Sequence, residues 1–395
     1  MTSVTRPEED PAEHDLGGAP RSRAMQLGGK TGVLSRQQIQ ILINRRLIQA
    51  AADLDPTQLQ PSSLDLRLGL KAYRVRASFL PGPEQTVEKQ LGSLTNDEIS
   101  LDDGAVLERG CVYVVELQET LRLTDGILAF ANPKSSTGRL DVFTRLIADR
   151  SDVFDRVPLA YDGRLYAEIS PRSFSVKVRA GSRLNQIRFR RRTGAQDQHA
   201  DMRLSDAELM KLHASTPLVD ADIRLRNGVA LGVELARIGG DNLIGYRAQR
   251  HTNVIDVDRV NHYAIADFWE PIHARSDRRL ILDPNEFYIL ASKEQVHIPA
   301  SVAAEMVPID PAMGEFRVHY AGFFDPGFGG TPDGKPGSHA VLEVRSHEVP
   351  FVLEDGQIVG RLAYEWMSTE PDGLYGEALS SNYQGQKLKL SKHFR

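Results

Sequence analysis

The two halves of this chain carry the same ordered series of strand-sized segments, and that order restricts the fold more than any single motif. The run Pro61-Ser62-Ser63-Leu64-Asp65-Leu66-Arg67-Leu68 is answered by Asn227-Gly228-Val229-Ala230-Leu231-Gly232-Val233-Glu234-Leu235. LDDGAVLERGCVYVVELQETLRLTDGILAF is answered by LDPNEFYILASKEQVHIPASVAAEMV, and YAEISPRSFSVKVRAGSRLNQIRF by AVLEVRSHEVPFVLEDGQIVGRLAY. The last match sets Glu168 opposite Glu343 and Gly181 opposite Gly356. Three matches in one order point to tandem duplication of a β domain, and two long repeats are too few for a solenoid. The length of 395 residues agrees, because single cores seldom grow beyond roughly 250 to 300 residues.

Local patterning gives the elements. Runs such as SLDLRLG, CVYVVELQE, ILAFANP, LYAEIS, FSVKVRAGS and NQIRFRR alternate in polarity between Gly, Pro and Asp, which is the signature of short strands. Ser35 suits the N-cap of one helix through SRQQIQILINRRLIQAA, with Ile39, Ile41, Leu42, Leu47 and Ile48 as its apolar positions. SDAELMKLHAS reads as a second helix. The expected organisation is a flexible tail over 1–33, a first domain over 34–200, a helical linker over 201–222, a second domain over 223–370 and a closing tail over 371–395. The first tail holds PEEDPAEHD, GGAPRSR and GGKTG, which bury little.

Composition removes several function classes. Hydrophobic content of 41%, charged content of 26% and a net charge of -5 describe a globular chain with no global basic field, so a nucleic acid polymer is not its expected partner. Cys111 is the only cysteine, which fits a reducing cytoplasm and excludes both a disulfide framework and a cysteine-rich zinc site. No stretch approaches 18 uninterrupted apolar residues, so no membrane span is expected. The glycine-rich runs GGDNLIG and PGFGGTPDGKPG lack the spacing of a Walker loop or a dinucleotide fingerprint.

Chemistry concentrates in Pro133-Lys134-Ser135-Ser136-Thr137-Gly138-Arg139 and in the carboxylate of Leu165-Tyr166-Ala167-Glu168-Ile169. Two hydroxyls, a lysine and an arginine in one turn suit a polyphosphate. Serine and glycine are also ordinary turn residues, and an isolated strand glutamate is ordinarily solvated. Alternation puts Glu168 on one face with Tyr166 and Ser170. Glu343 repeats that pattern, and Asp325 sits in the Asp325-Pro326-Gly327 turn. The serine loop's counterpart, Pro308-Ile309-Asp310-Pro311-Ala312-Met313-Gly314, has two prolines and no serine pair, so the second repeat is not expected to hold phosphates in the same way. The terminal segment, with Tyr375, Tyr383 and Gln386 among lysines, suits a lid that excludes water.

Taken together, these residues resemble the dCTP deaminase family of the dUTPase-like superfamily, in a tandem-duplicated bacterial form. The resemblance rests on the opening helix, SLDLRLG, the Ser135-Ser136-Thr137-Gly138-Arg139 loop, the Glu168 strand, the Gly181 turn before Leu184-Asn185-Gln186-Ile187, and the terminal tail. It implies a mainly β fold of two dUTPase-like distorted β-barrel or jelly-roll domains with a few short helices. It also implies zinc-independent hydrolysis of dCTP to dUTP and ammonia, with Mg2+ entering on the triphosphate and no metal ligand from the protein. By position, Glu168 would be the general base, Ser135 and the Ala148 carbonyl would hold the water, and Arg139 would orient the site. Lys134, Ser136 and Arg150 would bind nucleotide or phosphate under Tyr375, Tyr383 and Gln386. Three features depart from the family pattern: Lys134 replaces the usual arginine, Asn382 stands where the tail commonly carries lysine, and the segment DRSDVFDRVPLAYDGRLYA between Ala148 and Glu168 is longer than usual.

Sites in this superfamily form between neighbouring barrels, so the resemblance leaves Glu168 and Glu343 both open as the base, including a serine loop from one repeat joined to a carboxylate from the other within one chain or across chains. Glu168 is favoured over Glu343 because its repeat keeps the serine loop. A homo-oligomer with trimer-type barrel packing is the expected assembly. A dUTP diphosphohydrolase or a bifunctional enzyme forming dUMP, using Asp325, is the first alternative; a non-catalytic nucleotide sensor is the second.

Overall fold

The computed structural model describes residues 28–124, 126–192, 202–238, 242–308, 316–319, 322–346, 348–376 and 383–395. The chain is mainly β and folds as two barrel-like halves with the same sheet plan. In the first half, strand Asp162–Pro171 lies between Val112–Arg122 and Val142–Ala148, all antiparallel. In the second, Ser338–Ser346 lies between Phe287–Val296 and Phe316–His319 in the same order. The register agrees residue for residue: Glu168 faces Val114 and Arg145, and Glu343 faces Ile289 and His319. A second sheet in each half pairs Ile127–Pro133 with Asn185–Arg191, and Val302–Pro308 with Ile358–Trp366.

The expected opening helix is shorter than its periodicity suggests. It runs Arg36–Asn44, buries Gln38, Ile39 and Leu42, and starts where the Ser35 amide donates to Gln38 Oε1 at 3.1 Å. Arg46 then adopts a left-handed φ of 57°, and Ile48–Ala50 becomes an edge strand on Val112–Arg122. Leu47 and Ile48, read as further helical positions, are instead drawn into the core by that reversal. The linker helix Asp206–Ser215 carries a capping box between Ser205 and Glu208.

Of the expected amino-terminal tail, residues 1–27 lie outside the described residues, but 28–33 are structured. Gly32–Val33 pairs with Arg190 and Arg191, and a Cβ on Gly32 would sit 2.3 Å from the Trp366 carbonyl oxygen. Only glycine allows that approach. The counterpart loop 309–314 and Asn382 also lie outside the described residues.

The two halves share their packing. The first core includes Phe268, Trp269, Phe287 and Ile289 from the second half, and it receives Val341 from the partner face of Ser338–Ser346. Leu342 and Val344 point the other way, into the second core. Alternation therefore aims Val341, Glu343 and Arg345 at the first half. There Arg345 pairs with Asp141, and both side chains are buried. Arg190 and Glu365 form a second such pair, with Nε to Oε2 at 2.5 Å.

Candidate active site

A cavity of about 590 Å³ opens where the serine loop of the first half meets the Glu343 strand of the second. Lys134, Ser135, Ser136, Arg139, Tyr375, Tyr383 and Gln386 all line it, as do Glu343 and Asp325. Glu168, Ala148 and Arg150 do not.

The serine loop follows Ile127–Pro133 directly, so a paired strand holds its base. Ser135–Gly138 forms a single helical turn, with Thr137 and Gly138 amides donating to the Lys134 carbonyl at 2.8 and 3.0 Å. The lysine's ammonium reaches Asp65 on the SLDLRLG strand. Arg139 turns inward and is 5% exposed. Its guanidinium lies 3.9 Å from the Tyr383 ring centroid, and its Nη1 donates to the Lys389 carbonyl at 2.8 Å. Stacking and hydrogen bonding leave a planar, fixed cation at the cavity wall.

Glu343 approaches this loop from the opposite half. It is 6% exposed, and among the described residues its Oε2 has no hydrogen-bond partner. Gly138 makes the approach possible: a Cβ there would lie 2.4 Å from Glu343 Oε2. Burial pushes the Glu343 pKa well above the ordinary carboxylate range, Arg139 pulls against that, and Asp141 adds to it. A desolvated carboxyl beside a fixed cation, with one oxygen unengaged, is suited to accepting and returning a proton.

Asp325 occupies another wall. It accepts a hydrogen bond from Ser62 Oγ, and Arg188 Nη2 lies 3.5 Å from its Oδ1. Arg188 is itself fully buried, 4.0 Å from the Phe323 ring centroid, and donates to the Ala304 carbonyl at 3.0 Å. Burial raises the Asp325 pKa, while Arg188 and Ser62 lower it.

The terminal segment closes the cavity. Ser391 Oγ donates to the Ser136 carbonyl at 2.7 Å, and the Gln386 amide donates to the His339 carbonyl at 2.9 Å. Phe394 packs into the first core, 5.5 Å from Phe268 and 5.9 Å from Trp269 between centroids. Lys392 and His393 also line the cavity, and burial holds His393 down at about 4.

The geometry brings Glu343 to the cavity wall and leaves Glu168 away from it. Glu168 is 1% exposed, but Arg145 Nε donates to its Oε1 at 3.1 Å and Phe154 lies 3.5 Å from that guanidinium. The face it shares with Tyr166 is covered by Val87 and Leu91 of the helix Val87–Leu94. The first half covers its own glutamate, whereas the second half leaves its glutamate to the serine loop. Ala148, whose carbonyl was expected beside the water, is fully buried in the first core and pairs with Leu165, away from the cavity lining. Arg150 is exposed at a left-handed turn, its amide donating to the Gln85 carbonyl at 3.0 Å. Sequence reasoning missed Asp65, Arg183 and His393; Arg183 carried a signal, since it follows the Gly181 turn that did attract notice.

The chain is similar to known proteins over most of its length. Residues 30–193 match the model of the 2'-deoxycytidine 5'-triphosphate deaminase (DCD) N-terminal domain, and residues 205–394 match that of the DCD C-terminal domain. The solved 2'-deoxycytidine 5'-triphosphate deaminase of Agrobacterium tumefaciens is 54% identical, with a TM-score of 0.81, over 86% of this chain and 99% of that one. The "dCTP deaminase, dUMP-forming" of Corynebacterium jeikeium is 32% identical over 120 residues, which are 29% of this chain and 60% of that protein. The protein of the same name from Beutenbergia cavernae is 29% identical over 185 residues, 43% of this chain and 90% of that protein. A third, from Thermobifida fusca, is 30% identical over 120 residues, 29% of this chain and 57% of its own length. The chain thus spans less than two thirds of the first and third of these relatives. Among the described residues no helix is long and apolar enough to cross a membrane.

Proposed function

This chain belongs to the dCTP deaminase family, and we propose that it hydrolyses dCTP to dUTP and ammonia with Glu343 as the general base. The observation that carries the reading is that Glu343, and not Glu168, lines the buried cavity beside Gly138 and Arg139; among the described residues each of the two glutamates has an Oε2 without a hydrogen-bond partner. Ionised Glu343 takes a proton from water as the oxygen bonds to C4 of cytosine. The same carboxyl returns that proton to the base; the second water proton leaves with the amine, so ammonia departs and a C4 carbonyl remains. Ser135 positions the water, and Arg139 holds the developing charge. Lys134 and Ser136 bind the nucleotide while Tyr375, Tyr383 and Gln386 exclude solvent.

Magnesium enters this scheme on the triphosphate oxygens. Among the described residues no three histidine, cysteine or carboxylate side chains gather as a cation cage. When bound, the ion would neutralise phosphate charge. Zinc has no part in the steps assigned to these residues.

A second reading is favoured by Asp325 in the same cavity and by the names of the curated relatives. In it, Asp325 activates water against the triphosphate, and dUMP and pyrophosphate follow. Incubation with dCTP and magnesium tests both: ammonia with dUTP supports the first, and ammonia with dUMP and pyrophosphate supports the second. Nucleotide binding without ammonia release would leave the chain a sensor. Cytoplasmic location and self-association through trimer-type barrel packing remain part of the proposal, and the assembly is checked by sedimentation.

A further inference from the structure

We propose that Asp141 and Arg345 form a clasp between the two halves that positions Glu343 against the serine loop. The assignment rests on the reading of Glu343 as the base. Arg345 lies two residues beyond Glu343 on Ser338–Ser346, so both side chains leave the same face of that strand. Asp141 lies two residues beyond Arg139, at the exit of the serine loop. The two pairs run side by side: the Arg139 charge acts on Glu343, and Asp141 binds Arg345. Charge therefore alternates along both elements, positive then negative on the loop and negative then positive on the strand. A slip of the strand by two residues, about 7 Å, brings Arg345 to Arg139 or Glu343 to Asp141, and like charges meet. Only the observed register sets every one of these charges against its opposite.

Both partners of the clasp are held by their own half. Asp141 has a left-handed φ of 55°, its amide donates to the Gly138 carbonyl at 2.8 Å, and the Arg172 amide donates to its carbonyl at 2.9 Å. Ser173 Oγ donates to Asp141 Oδ2 at 2.6 Å, and the Arg345 guanidinium reaches both that oxygen and the Asn285 carbonyl. Side-chain exposure is 1% at Asp141 and 8% at Arg345. A buried ion pair adds little net stability, because desolvation offsets the attraction, so fixing one arrangement is the better account of this one. The first half points the same way: Ser170 stands beyond Glu168 where Arg345 stands beyond Glu343, and no residue of Asp162–Pro171 lines the cavity. The charged and titratable groups around Glu343 are Arg139 and Asp141 from the first half and Tyr383 from the terminal segment; Arg345 follows on its own strand, and His319 holds the facing position on the neighbouring one. Asp141 raises the Glu343 pKa, so neutralising Asp141 lowers it, and an Arg345 cation left without its carboxylate lowers it further.

The test uses the full-length protein. Asp141→Asn is expected to lower kcat for ammonia release by roughly ten-fold or more with little change in the KM for dCTP. It is also expected to move the acid limb of the kcat/KM profile to lower pH, because Glu343 then ionises sooner. Since Asp141→Asn leaves a buried cation unpaired, a second variant, Asp141→Asn with Arg345→Met, removes both charges and is expected to melt near the wild type and still lose kcat. Wild-type kcat in that folded double variant overturns the clasp. The proton affinity of Glu343 is read without catalysis from its carboxyl carbon-13 resonance in glutamate-labelled protein, assigned by its absence in Glu343→Gln. A titration that stays at the wild-type pH in Asp141→Asn overturns the clasp, whether or not kcat falls. If the wild type releases no ammonia from dCTP but that titration moves down in Asp141→Asn, the deaminase reading fails and the clasp stands.

Discussion

Gly138→Ala separates the stability of this protein from its chemistry. The added Cβ would lie 2.4 Å from Glu343 Oε2 and 2.9 Å from both Cδ and Oε1. Side-chain contacts below 3.0 Å are essentially never tolerated, so the carboxylate must retreat by at least the difference, 0.6 Å. Gly138 ends a helical turn and has no left-handed φ, so alanine brings no backbone strain and recovers up to about 1 kcal/mol of helix propensity. Overpacking at a buried position costs about 1–3 kcal/mol, and the group displaced here is the end of a flexible side chain. The net loss of stability is therefore small, about 0–2 kcal/mol. The base, however, is moved off its position, and a misplacement near 1 Å lowers rate by about 100-fold. Ammonia release under saturating dCTP gives kcat, and thermal melting gives the stability control. A variant that melts like the wild type and deaminates at the wild-type rate would refute the argument that Glu343 must touch this loop.

Other outcomes follow from the same geometry. Tyr383→Ala removes the ring under Arg139 and should lower kcat/KM through an interaction worth about 1–2 kcal/mol; an unchanged value means the stack does not orient Arg139. Phe394→Ala should loosen tail docking and raise the dCTP KM, and faster proteolysis of the terminal segment is the direct check. Asp155, raised to about 7 by burial against the Leu146 amide and Arg145, gives a pH signature. Its folded pKa exceeds the unfolded value, so its favourable contribution is complete below the ordinary carboxylate range and is lost as pH rises through about 7. Asp155→Asn should therefore raise the melting temperature at pH 8 relative to wild type and do so far less at pH 4; equal shifts at both pH values contradict that assignment.

Much of the architecture was legible because it depends on local pattern. Alternation located the strands around Glu168 and Glu343, and the ordered matches anticipated that both would occupy the same register position. The serine loop and the tyrosines of the tail were found from residue type and spacing. The choice between the two glutamates was not legible, because it depends on what covers each strand from far away in the chain. Glu168 is sealed by Arg145 and Phe154 of its own half, and Glu343 is met by Gly138 and Arg139 of the other. One signal did exist: strand pairing sets Arg145 directly opposite Glu168, and opposite charges on facing strands form a cross-strand pair. The end of the first helix was missed for a similar reason. Its apolar spacing continued through Leu47 and Ile48, but tertiary packing used those residues in a turn and an edge strand.

The central claim is that the catalytic carboxylate comes from the second half and the serine loop from the first. It is tested most directly by measuring ammonia release from dCTP and magnesium by the wild type, Glu343→Gln and Glu168→Gln side by side. The account expects activity in the wild type, retained activity in folded Glu168→Gln, and a loss of about 10²- to 10⁴-fold in Glu343→Gln. An active Glu343→Gln beside an inactive, folded Glu168→Gln would contradict it.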